Sequence, residues 1–372
     1  MKLLKLISML AAFLTLCTIG YSQDTTVYNN PEKKDVSKKE KRISLLLEKD
    51  SFYMSQPYQY ILPILGAQAH KKGYRFLLPF GVMINAVSAQ QRLAIDDVNI
   101  GFGNKNSEAE PVMYNLNNIV DFEPIEATTS TYNVRVDVWP LPFLDIYGMY
   151  GKVQKANIAI KMIEPFPLTV ATDVAGYYLG YGGMVNGKVG PVFLSLDANT
   201  SVNHNPRLNK PVRISLVSAR TGPIFQVNRN PDMKILFWTG LMYTNYGAST
   251  KGSINTIDLA PNAPQKIDDM QSDMDIWYNN LGTLDKIKYT PIYNALTNGL
   301  GFLNTGINDT YIKYSMNKKV ERPWNMLIGV QWQIDKHWQV RSEGQVLGDR
   351  KALLFSFNYR FGIKGHNWFS NL

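Results

Sequence analysis

The chain of 372 residues carries 39 Lys and Arg against 30 Asp and Glu, a formal net charge of +9, and one cysteine, Cys17. That cysteine lies in an N-terminal apolar segment, so the remainder has no thiol, and disulfide and thiolate chemistry are excluded. Beyond that segment no apolar run reaches about 18 residues, which excludes a membrane-spanning helix and leaves a closed barrel as the only way to cross a bilayer.

Lys2 and Lys5 precede an apolar run from Leu6 to Ile19, with Gly20 and Ser22 after it. This is the pattern of a secretory signal peptide, residues 1–22, and its removal would take two lysines and lower the net charge to +7. Residues 23–57 read as a flexible periplasmic extension. The EKKDVSKKEKR run from Glu32 to Arg42 holds much of the excess charge. Three acids interrupt it and no aromatics are interleaved, so nucleic acid is not an expected partner.

Segments with period-two alternation follow. Tyr58–Gln68 and Tyr74–Ala86 come first, weakened by Pro63 and Pro79, which cannot donate to a ladder. Arg92–Gly103 is next. Tyr132, Val134, Val136 and Val138 then alternate with Asn133, Arg135 and Asp137, and the Pro140-Leu141-Pro142 corner leads into FLDIYGMYGKV, a hairpin signal. Asp173–Gly183 and Pro191–Ser201 are joined through Asn186-Gly187, a strong two-residue turn signal. Val212–Asn228 and Met233–Ala248 flank residues 229–232. Trp324–Ile334, His337–Leu347 and Lys351–Ile363 close the set.

Written as a strand, KALLFSFNYRFGI puts Leu353, Phe355, Phe357, Tyr359 and Phe361 on one face and Ser356, Asn358 and Arg360 on the other. This strand resembles the C-terminal assembly signal of Gram-negative outer-membrane β-barrels, and its Tyr359-Arg360-Phe361 ending resembles the form found in Bacteroidota. The resemblance implies an outer-membrane location, contact with outer-membrane lipid, and recognition by the barrel-assembly machinery. Most such proteins stop at the terminal aromatic, whereas residues 364–372 form a tail here.

The expected fold is all-β: an antiparallel up-and-down transmembrane barrel over residues 58–363, with about twelve strands and an even count between eight and fourteen. The short connections near Asp335, 229–232, 186–187 and 140–142 fall on the periplasmic side. The long ones, 104–130, 154–172 and 249–323, fall outside; only the turn near Gly348 is a short outer loop. A soluble β-sandwich also gives many short strands. Aromatics at strand ends favour the barrel, with Trp139, Trp238, Trp324, Trp332, Trp338, Tyr359 and Phe361 as interfacial girdle residues.

Residues 249–323 lack strand alternation, and loops of that length commonly carry a function or are disordered. Ile267, Met270, Met274, Trp277, Leu281 and Leu284 recur at helical spacing. The helix either enters the lumen, with Met270, Met274 and Trp277 as constriction residues, or packs on neighbouring outer loops. The glycine-rich piece Asn298–Gly306 reads as a flexible connection.

If the aromatic faces point outward, Arg135, Asp137, Asp197, Arg213, Arg341, Glu343 and Arg360 point into the lumen, where four arginines against three acids suggest a mild anion preference. The leading functional expectation is a passive or gated channel for small solutes. The alternative is a closed structural or interaction barrel with binding outer loops. A third reading, an acyl hydrolase, rests on His204 near Ser201 and Asn203. No metal or cofactor motif is present: histidine pairs at ligand spacing are absent, and the Asp268, Asp269, Asp273 and Asp275 cluster lacks the glycine and glutamate of a calcium loop.

Overall fold

The computed structural model describes residues 55–365, apart from 118–120, 165–167, 206–210, 228–231, 248, 256–262 and 306–308, together with Ser44, Glu48, Ser51 and Phe52. The signal peptide, the basic run and residues 366–372 lie outside the described residues.

Ten strands form one closed antiparallel ladder: β1 (Phe80–Asn104), β4 (Ile125–Leu141), β5 (Leu144–Glu164), β6 (Leu168–Val189), β7 (Val192–His204), β8 (Val212–Gln226), β9 (Lys234–Tyr246), β12 (Trp324–Gln333), β13 (Trp338–Val346) and β14 (Arg350–Phe361). Each pairs with the next in this order, and β14 returns to β1 over Phe80–Gln91. Following paired residues from Phe80 through Val138, Ile146, Gly183, Ala198, Val217, Tyr243 and Trp324, then over the β13–β14 turn, leads back to β1 at Arg92, whose N–H donates to the Asp349 carbonyl. The return is displaced by 92 − 80 = 12 residues. With standard strand spacings, ten strands and that stagger give a tilt of about 40° and a radius of about 10 Å.

The ten-strand wall lies within the expected range, and the favoured count of twelve differs for a local reason. Phe80–Ala86, the later half of Tyr74–Ala86, and Arg92–Gly103 are parts of the single strand β1, because Ser88–Gln91 continues the ladder without a turn. Tyr58–Gln68 is not a barrel strand: Tyr60 makes one bridge to Lys364, and helix α1 (Gly66–Lys71) follows. The β6–β7 turn also moves. β6 runs through Asn186-Gly187 to Val189, and Gly190-Pro191 makes the turn, with Gly190 at φ +57°, a conformation glycine adopts without a Cβ clash. Residues 154–172, expected as a loop, mostly extend β5 and β6.

Residues 56–79 cross the short-turn mouth. The Ile64 N–H donates to the Pro140 carbonyl at the β4–β5 turn, and the Ile61 N–H to the Ile363 carbonyl beyond β14. Arg75 lies 3.6 Å from Asp232 at the β8–β9 turn, on the other side of the barrel. Pro63 and Pro79 are fully buried in this strap, where a missing N–H costs no ladder bond.

At the opposite rim β1 changes partners. Above Arg92 it leaves β14 and pairs from Ala94 with β11 (Thr310–Lys319), which also pairs with β10 (Ser249–Asn255). A bulge at Asp97, φ +54°, separates the two registers of this upper part. The short strands β2 (Tyr114–Asn115) and β3 (Asp121–Phe122) pair antiparallel with β1 and β5 respectively. On this sheet lie helices α2 (Ala263–Asn280) and α3 (Thr283–Thr305). Ile267, Met274, Leu296, Leu300 and Leu303 bury against Leu93, Val98, Ile125 and Met316, giving the cap a hydrophobic core of its own. β11 reaches β1 above the β13–β14 turn, which explains why that outer turn stays short.

The structure bears on two expectations for the cap. Met274 is buried in the cap core and Met270 and Trp277 pack against it, and that core includes Leu93 and Ile125, which share the inward strand parity of Gln91 and Arg135. Residues 298–305 are helical, and Gly299 is needed because a Cβ there would sit 2.2 Å from the Phe102 ring.

Candidate functional site: the barrel interior

Alternation along each barrel strand sorts side chains into two classes. Outward positions are apolar and exposed, among them Val134, Val136, Tyr181, Leu241, Ile328, Leu353 and Phe355. Inward positions are polar or charged and buried, among them Asn85, Asp137, Asp145, Asp197, Gln339, Glu343 and Arg360. A soluble protein would present the reverse, since exposed apolar surface is unfavourable in water.

The inward charges interlock near the short-turn end. Arg360 donates from Nη2 to Asp137 Oδ2 at 2.8 Å and from Nε to the Leu78 carbonyl of the strap at 2.8 Å. Arg135 Nη2 lies 2.5 Å from Asp145 Oδ2, and its guanidinium sits 3.6 Å over the Tyr147 ring. Arg220 binds Glu343 in fork geometry, at 2.7 and 3.1 Å, and lies 3.9 Å from Asp197. Glu343 Oε2 also accepts from Arg341 at 2.6 Å and from Trp238 Nε1 at 3.0 Å, while Tyr147 donates to Asp197 at 2.7 Å. Such charges are held in the interior only because each faces an opposite partner with additional hydrogen bonds. A neutral tier adjoins them: Ser356 donates to Asn85, Asn85 to Asn133, and Asn133 to Tyr178. Asn358 and Gln339 pair alongside.

Of the lumen candidates, Arg135, Asp137, Asp197, Arg341, Glu343 and Arg360 are brought together here. Arg213 is not: it is exposed, on the strand parity opposite Ser218 and Arg220. Arg220 and Asp145 take part in its stead, so four arginines face four acids and the arithmetic behind an anion preference disappears. Their parity signal was available, since Arg220 is two residues from Ser218 and Asp145 two from Tyr147.

The aromatic candidates also divide. Trp324, Trp332, Trp338 and Tyr359 are exposed on the outer face, and Phe361 stacks on Phe80 there. Trp139 and Trp238 are corrections: both point inward, Trp238 under Arg341 and Trp139 under Arg360. Trp139 has the parity of Arg135 and Asp137, which outweighs its place at a strand end.

His204 lies on the face of β7 opposite Ser201 and Asn203. It stacks on the outward Tyr177 at 4.9 Å, while Asn203 donates to Ser201 on the inner face. These residues therefore do not assemble a hydroxyl and base pair.

A closed ladder with an apolar exterior and a charged interior defines a transmembrane β-barrel of the outer-membrane type. No protein-family model matches the chain, and no curated protein matches it. Among solved structures it is similar to the β domain of the Bordetella autotransporter BrkA, at 10% identity over 76% of this chain and 100% of that one, TM-score 0.34. It is also similar to OprG of Pseudomonas aeruginosa, at 8% identity over 77% and 98%, TM-score 0.30. The translocator domain of NalP from Neisseria meningitidis matches at 7% identity over 76% and 88%, TM-score 0.33. At such scores these likenesses carry no argument, and the barrel class rests on the ladder and the two faces of its strands.

Proposed function

We propose that the protein is a closed outer-membrane barrel that holds its α/β cap at the cell surface as an interaction module. The observation that carries this reading is the interior network, in which eight charged side chains interlock inside a lumen only about 10 Å in backbone radius, with Arg220 of β8 reaching Glu343 of β13 three strands away. The strap supports it, because Arg360 ties the Leu78 carbonyl to the network from the short-turn side. Short turns face the periplasm in barrels of this type, which places the cap outside. The aromatic outer face of β14 supports recognition by the assembly machinery and contact with lipid.

The channel reading is favoured by one observation, that the strap is a segment outside the ten-strand ladder and contributes no strand to its closure. Planar-bilayer recording of the folded full chain separates the two. Silence is expected from the full chain, and steady conductance from it would overturn the closed reading. A chain lacking residues 44–76 is expected to stay silent because the charge pairs remain; conductance in this variant alone would make the strap a gate.

A further inference from the structure

One ladder row runs across the outer face of four strands: Tyr132 of β4 pairs with Lys152 of β5, Lys152 with Tyr177 of β6, and Tyr177 with His204 of β7. Arg213 of β8 continues the strip on the same face, paired with Val202, two residues from His204. Tyr132, Lys152, Tyr177 and Arg213 are exposed, and the His204 ring lies flat on Tyr177 at 4.9 Å with 6° between their planes. The charge of the strip has one sign. No Asp or Glu stands within two positions of any of these five residues in the chain. Among the described residues neither Lys152 nor Arg213 makes an ion pair, whereas the four arginines of the interior network all do. Elsewhere on the outer face Arg92 stands directly opposite Glu126.

The depth of the strip says what meets it. Lys152 lies 152 − 144 = 8 residues from the short turn at Leu144, and His204 lies 204 − 192 = 12 residues from the one at Val192. At about 3.3 Å per residue and a tilt of about 40°, these are roughly 20 and 30 Å above the short-turn mouth, so the strip crosses the upper edge of an apolar band about 25 Å tall. Leu179, two residues along β6 from Tyr177 and exposed on the same face, lies on the hydrocarbon side of that edge. Tyrosines alone would make an ordinary interfacial belt. The two cations that flank them, with no acid nearby, ask for an anion, and a guanidinium and an ammonium both suit phosphate. A free anion gains nothing from the apolar wall that continues the strip, whereas a lipid uses both.

We propose that the strip from Tyr132 to Arg213 binds a phosphate-bearing membrane lipid in the leaflet on the cap side, its headgroup held between Lys152 and Arg213 over the Tyr177–His204 stack and its acyl chains running down past Leu179. The site needs the outer face to meet lipid and is independent of whether the lumen is closed. The test is native mass spectrometry of the folded full chain released from detergent micelles doped with equimolar dioleoyl phosphatidate and dioleoyl phosphatidylcholine. Retention of phosphatidate in preference to phosphatidylcholine is expected, unaffected by millimolar inorganic phosphate. Each basic group beside an anionic lipid is worth about fivefold in binding, so Lys152→Gln/Arg213→Gln should lose roughly 25-fold. Arg92→Gln/Lys351→Gln, which removes two exposed cations at the β14–β1 seam, should leave retention unchanged. No preference for phosphatidate, displacement by inorganic phosphate, or an equal loss in the two double variants would overturn the proposal, the last by showing a diffuse surface attraction instead of a site. If Lys152→Gln/Arg213→Gln fails to fold, the single variants decide, with a loss of about fivefold expected in each and no loss in either overturning the site.

Discussion

The Arg360–Asp137 pair gives the sharpest test of the interior network. The two side chains are 3% and 0% exposed and meet at 2.8 Å. Replacing Arg360 by Met leaves the Asp137 carboxylate buried with neither oxygen matched by a protein donor, since Oδ1 has no partner and Oδ2 loses its own. Breaking a buried pair in this way costs about 3–5 kcal/mol. The substitution also strips the Leu78 carbonyl of its donor, adding about 1 kcal/mol. Asp137→Leu should cost a similar amount by stranding the guanidinium. The double variant Asp137→Leu/Arg360→Met removes both charges together and should lose less than the sum, with a coupling energy of about 2–3 kcal/mol. Urea unfolding of the detergent-folded protein, followed by tryptophan fluorescence, measures all four corners of the cycle. A single-variant loss below about 1 kcal/mol, or a coupling energy near zero, would refute the claim that these charges are desolvated and mutually dependent.

Two further outcomes follow from the faces of the wall and from the separate core of the cap. Ile328 points outward, so Ile328→Arg should destabilise the barrel by about 2–4 kcal/mol in lipid, whereas Arg213→Ala, at an exposed position, should stay within about 0.5 kcal/mol. An unchanged unfolding curve for Ile328→Arg would mean that this face does not meet lipid. Met274→Ala should cost the cap about 2–5 kcal/mol and speed its proteolysis while the barrel stays resistant. Equal loss of protection in both would show that cap and barrel unfold as one unit.

Much of the barrel was legible in the chain because strand alternation is local: a period of two, read over a few residues, assigns each side chain to a face without knowledge of its partners. That sufficed for β4, β5, β8, β9 and β12 to β14, for the exposed aromatic face of β14, and for six of the seven residues expected in the lumen. It failed where a local signal competed with the ladder. Asn186-Gly187 is a turn pair by itself, yet the register of β6 against β7 carried the strand three residues farther to Val189. Trp139 and Trp238 resembled girdle residues by position, and parity turned them inward. Arg213 was placed in the lumen by its charge, against the parity of its own strand.

The long insertion marks the other limit. Helical spacing in Ile267, Met270, Met274 and Trp277 was visible, but which surface received that face was not, because the receiving residues lie far away in sequence at Leu93, Val98, Ile125 and Met316. The sequence by itself determined the alternation, the exclusion of a spanning helix and the chemical character of the inner face, all of them properties of residues and near neighbours. Only the tertiary structure decided ten strands with a stagger of twelve, the pairing of four arginines with four acids, and the strap across the mouth. Closure, register and charge partnership are relations between segments tens to hundreds of residues apart, and local chemistry does not encode them one segment at a time.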